Sequence, residues 1–123
     1  MKTRAGFVSN SSSSSYVLVL RDEDYQNLVK GTSDLARSIL DHIGAEEGQL
    51  GSEKIRVISW MDGNCDSLEY FDAKEKDIEA WIAEQKKIDC DIDYEYPSQA
   101  VYDCWEDFVN EASEVGFKTS VDF

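Results

Sequence analysis

The chain has 123 residues, 41% of them hydrophobic, and a formal net charge of −14. That length suits one domain with a core of its own, and the hydrophobic and aromatic content excludes a wholly disordered acidic tail. No apolar run approaches the roughly 20 residues of a membrane-spanning helix, and the charge argues against direct binding to nucleic acid or an anionic membrane.

The opening MKTRAGFVSNSSSSS has only Phe7 and Val8 as an apolar pair, too little for the hydrophobic region of a signal peptide. Serine runs favour neither helix nor strand, so residues 1–15 are expected to form a flexible arm ahead of a single acidic α+β domain over residues 16–123. Cys65, Cys90 and Cys104 are far apart and show no C-x-x-C spacing, which fits reduced thiols and a cytoplasmic protein.

Residues 16–20 (YVLVL) read as a buried strand. Tyr25, Leu28, Val29, Thr32, Leu35, Ala36, Ile39, Leu40 and Ile43 keep a helical spacing through Gly31, which predicts one long helix, straight or kinked at Gly31, ending at Gly44. His42, the only histidine, falls near the C-terminus of that helix, where the dipole favours a cation. The glycine-rich stretch over residues 44–52 (GAEEGQLGS) is expected as a mobile polar loop. Residues 54–60 (KIRVISW) read as a second strand, Asp62-Gly63 as a turn, and residues 67–71 as the hairpin partner.

Asp72 stands three residues before Glu75 and predicts a capped helix that buries Ile78, Trp81, Ile82 and Ile88. Residues 89–96 (DCDIDYEY) alternate acidic and other residues, a strand pattern ended by Pro97. A last helix from about Ser98 to Gly116 buries Val101, Cys104, Trp105, Phe108, Val109 and Ala112, and the alternating tail from Phe117 reads as a strand. The order predicts a ferredoxin-like β-α-β-β-α-β sandwich with an added C-terminal helix and strand.

The charge is unevenly placed. Residues 1–61 hold 7 Lys and Arg against 8 Asp and Glu, whereas residues 62–123 hold 5 against 18. On the expected strand, Asp89, Asp91, Asp93 and Glu95 share one face about 6.5–7 Å apart, close to the step between phosphates along a nucleic-acid strand. The last helix adds Asp103, Glu106, Asp107, Glu111 and Glu114 opposite its apolar stripe. Asp103–Asp107 and Asp107–Glu111 are like-charge pairs one turn apart, each costing about 0.2–0.5 kcal/mol. These nine carboxylates are the candidate contact residues for a basic protein surface. No metal and no cofactor are expected: D-x-D-x-D-x-E lacks the glycine and the final glutamate of a calcium loop, as Tyr94 and Ala100 stand there. With one histidine and no nucleophile–base signature, no catalytic residues are assigned. All three tryptophans are expected in the core, Trp81 and Trp105 on apolar helical faces and Trp60 at a strand end, whereas an exposed Trp60 would be an interface anchor.

Residues 4–16 (RAGFVSNSSSSSY) resemble the R-x-G-F-V-S-N-S-S-S-S-S-F/Y signature at the start of many small, uncharacterised proteins of bacteriophages and bacteria. Tyr16 stands where phenylalanine is common. The resemblance implies a phage or mobile-element origin and carries no activity with it. Together, these features predict a non-enzymatic cytoplasmic protein. It would bind and inhibit or modulate a basic, nucleic-acid-binding host or phage protein, as a nucleic-acid mimic would. The alternative is a virion, assembly or accessory protein that works through its serine arm.

Overall fold

The computed structural model describes residues 14–62, 68 and 71–122. Eight elements follow in order: β1 (Ser14–Arg21), α1 (Asp22–Gly31), α2 (Asp34–Ile43), β2 (Glu46–Leu50), β3 (Glu53–Asp62), α3 (Glu75–Ile88), α4 (Pro97–Ser113) and β4 (Phe117–Asp122). The class is α+β: a four-stranded sheet in the order β2-β3-β1-β4, every neighbouring pair antiparallel, with four helices.

The predicted long helix is two. Thr32 and Ser33 are extended, and the Ser33 hydroxyl accepts the Ala36 N–H at 3.1 Å as the N-cap of α2. A serine at that point offers the backbone an alternative to continuing the helix. Arg37 bridges the break by donating to the Val29 carbonyl and to Asp34, both at 2.8 Å, and so satisfies a carbonyl at the end of α1.

The predicted loop over residues 44–52 contains β2, which turns at Gly51 (φ 66°) and pairs with β3. Its polar sequence hides it because an edge strand needs no buried face. The hairpin partner of β3 is therefore β2 rather than residues 67–71. Of that stretch Leu68 and Phe71 belong to a turn, the Phe71 N–H bonding the Leu68 carbonyl at 3.1 Å. The remainder of residues 67–71 lies outside the described residues, as do Gly63, Cys65 and residues 1–13 of the serine segment.

Lys74 rather than Asp72 occupies the N-cap of α3, and Ile88 at its end is exposed rather than buried. Residues 89–96 form no strand. The Asp89 carboxylate accepts the Asp91 N–H at 3.0 Å and the Asp89 carbonyl accepts the Ile92 N–H at 3.2 Å. These local bonds turn the chain back toward α4 before it can extend. The C-terminal helix and strand are not additions: β4 pairs with β1 and completes the one sheet.

Leu18, Leu20, Ile58 and Trp60 project from the sheet into a core with Leu35, Ala36, Ile39 and Leu40 of α2, Trp81 of α3 and the apolar stripe of α4. Tyr16 stacks on Trp60 (5.3 Å, 17°), and Trp60 meets Trp105 edge-on (5.3 Å, 88°). Trp60 is buried by these contacts, in the core as expected, and is no exposed anchor. Trp81 and Trp105 lie in the core as the periodicity predicts.

Candidate functional site

Helix α4 is built to bury seven residues, from Ala100 to Ala112. Pro97 opens it with a preset φ. The Gln99 side chain caps it by accepting from the Glu95 and Tyr96 N–H groups at 3.2 and 3.4 Å. Burial of the stripe fixes the opposite side toward solvent. There Asp103, Asp107 and Glu111 follow one another at single-turn intervals, with Glu106 on the neighbouring row and Glu114 at the C-cap. All five are exposed.

The connector from α3 is held onto the start of α4. Tyr94 donates to the Asp103 carboxylate at 3.0 Å, and its ring lies 5.7 Å from that of Trp81. Burial pushes the Tyr94 hydroxyl up to about 12, and the bond to Asp103 adds to the shift. Asp89, Asp91, Asp93 and Glu95 all remain exposed along this connector, but without a strand they form no evenly spaced row. The structure therefore brings together the α4 carboxylates and sets the connector carboxylates beside their N-terminal end as an irregular group.

Asp107 shows what this crowding costs. Partial burial, then Asp103 one turn before and Glu111 one turn after, hold its carboxyl above the usual range. Glu111 and Glu114 add to the cost at the helix C-terminus, where the dipole disfavours negative charge. No ion pair among the described residues includes any of the nine candidate carboxylates. The first half of the chain differs. Arg21 pairs with Asp24, Arg37 with Asp34, and Arg56 with both Asp22 and Glu47. Arg56 also lies over the Tyr25 ring at 4.8 Å.

One further feature escaped the sequence reading. A cavity of about 270 Å³ opens between the sheet and α4, lined by Tyr16, Trp60, Trp105, Glu106, Asn110 and Lys118 among others. The Trp105 indole N–H beside it is buried with no acceptor among the described residues. The Lys118 ammonium lies 5.8 Å from the Tyr16 ring centre. Tyr16 and Trp60 come together only through the β1–β3 register, a long-range pairing that no local pattern announces. Cys104, buried beneath α4 with its thiol 3.6 Å from the Ser33 hydroxyl, is pushed up to about 11 by burial. Burial and the raised value leave it protonated near neutral pH, the behaviour of a small buried hydrophobe. Among the described residues no group of three or more His, Cys, Asp and Glu is placed to hold a metal, and no helix is long and apolar enough to cross a membrane.

No protein-family model, no curated protein and no solved structure matches this chain.

Proposed function

We propose that the chain is a non-enzymatic interaction protein whose acidic α4 face, with the α3–α4 connector, receives a basic protein surface. One observation carries this reading: Asp103, Asp107 and Glu111 form a like-charge row with no neutralising side chain among the described residues. A helix under selection for stability alone would interleave lysine or arginine at those intervals. A basic partner supplies the missing cations and relieves the repulsion on binding.

A nucleic-acid-binding protein is the partner class that suits such a face, because its groove is built for dense negative charge and binding would release the same counterions. The even strand-borne spacing of a strict nucleic-acid mimic is missing between Asp89 and Glu95, so the reading rests on charge density and not on mimicry of phosphate steps. The resemblance of residues 4–16 supports a phage or mobile-element origin, and with it a role in the cytoplasm as inhibitor or modulator of a host or phage protein. We also read the architecture as a split βαβ sandwich in which each crossover is a helix pair. The sheet order and the two such pairs, α1–α2 and α3–α4, support that reading.

The test is capture from host lysate on the tagged full chain, with duplex DNA added as competitor. Nucleic-acid-binding proteins displaced by DNA are the expected result. Partners that ignore DNA, and that are lost when residues 1–15 are deleted, would place the function in the serine segment instead.

A further inference from the structure

We propose that the sheet face that none of the described helices covers is where a second copy of this chain docks, giving a two-fold dimer with the sheets face to face and the helix layers outermost. This inference is independent of the acidic face. Alternation along the strands sends Leu18, Leu20, Ile58 and Trp60 to the helices and leaves Val17, Val19, Ile55 and Val57 on the other side. None of those four belongs to the core or packs against it. The register aligns them with their neighbours: Phe117, Val19 and Val57 stand in one cross-strand row, and Leu50 lies at the far edge on β2. Phe117 is 65% exposed and Leu50 69%. An apolar patch of this extent marks an interaction surface.

The charge of the chain selects the occupant. Arg21, Glu46 and Glu53 are the charged residues the described strands turn toward this face, and Glu53 already interacts with Arg21. Arg21 also pairs with Asp24, and Glu46 has no ion-pair partner among the described residues. An anionic surface therefore finds no spare cation here, and a basic partner finds far less charge than on α4. A second copy brings the matching apolar rows, as an isologous interface requires.

It also docks at the least electrostatic cost. Packed sheets lie about 10 Å apart, and each helix layer adds roughly another 10 Å. The two acidic helix layers then stand about 30 Å from each other, several Debye lengths at physiological salt. Any pairing through α4 would instead press the carboxylates together.

The area is adequate. Four strands about 4.8 Å apart and some six residues long give a projected face of about 400 Å² per copy. Side-chain relief raises the accessible area above that projection, toward the lower range of stable interfaces. An interface at the low end of that range suits a weak, micromolar association, with packing quality rather than area deciding its strength.

Sedimentation equilibrium of the full chain, from about 1 µM to about 500 µM, tests this, with the range chosen to bracket a micromolar association. The expected mass rises from 14.0 kDa toward twice that value, and added salt leaves the dimer intact or tightens it. Phe117→Ser, at a residue that is 65% exposed and outside the core, is expected to weaken the dimer at least tenfold. Val57→Asp is expected to abolish it. Amide NMR of the unmodified chain on dilution supplies a readout free of folding defects, with shifts expected at Val17, Val19, Val57 and Phe117. A chain that stays monomeric throughout overturns the proposal. So does a dimer indifferent to both substitutions, or dilution shifts that fall on α4.

Discussion

Helix α4 and the sheet face that no described helix covers present opposite chemistry on their outer sides. The outer side of α4 carries Asp103, Asp107 and Glu111 in one row, while the outer side of the sheet carries Val17, Val19 and Val57 in register. The imbalance between the two halves of the sequence is thus an imbalance within the helix layer. On α1 and α2 acids are paired with arginines, whereas on α4 no ion pair forms among the described residues. The outward residues of β4, Phe117 and Thr119, add no charge to the sheet face although they belong to the acidic half. Two surfaces so different should obey different physics: association through α4 weakens as salt screens it, and association through the sheet does not.

The largest effect comes from breaking the joint the two surfaces share. Gly116 lies between α4 and β4, and a Cβ there would meet the Leu20 side chain and come within 2.6 Å of the Val19 carbonyl oxygen. Gly116→Ala is expected to cost about 2 kcal/mol or more, as overpacking against backbone does, and to lower the midpoint of thermal unfolding and disturb both surfaces together. A variant that melts like the parent would show that the two surfaces are not coupled through this turn.

Ser33→Ala separates them. It removes the cap of α2 and the hydroxyl beside Cys104, at an expected cost of about 1 kcal/mol in urea unfolding. Amide protection should fall in α2 and α4 while the β1–β3 pairs keep theirs.

Asp107→Asn sharpens the contrast with the smallest change. The folded-state carboxyl sits above its unfolded value, so its ionisation opposes folding. That penalty is present in full above the folded value and vanishes as pH falls below the unfolded one. The asparagine variant is therefore expected to be more stable than the parent near pH 7 by about 0.5 kcal/mol or less, since solvent screens so exposed a group. The gain should disappear near pH 3. A stability loss at pH 7 would contradict the repulsive reading of the α4 row.

The sequence was most legible where burial imposes a period. The apolar stripe from Val101 to Ala112, the inward alternation of Leu18 and Leu20, and the core positions of Trp81 and Trp105 follow directly from spacing. It misled where a side chain competes with the backbone locally. Ser33 divides a helix whose apolar register runs on unbroken, and Asp89 folds a perfect strand alternation into a turn. It was silent where an element buries nothing, as at β2, whose Glu46 and Glu47 look like loop. The candidate site divides the same way. The α4 carboxylates are where helical spacing put them, whereas the connector carboxylates lost their even row with the strand that was to carry them.

The most direct measurement is retention of basic nucleic-acid-binding proteins by the full chain at about 0.05 M and about 0.5 M salt, concentrations that straddle physiological screening. It is made in parallel with a variant carrying Asp103→Asn, Asp107→Asn and Glu111→Gln. The account predicts strong retention by the parent at low salt, loss at high salt, and at least tenfold less capture by the neutralised variant, itself as stable as the parent or more so. Equal capture by both, or capture that survives high salt, would contradict the assignment of α4 as the binding face.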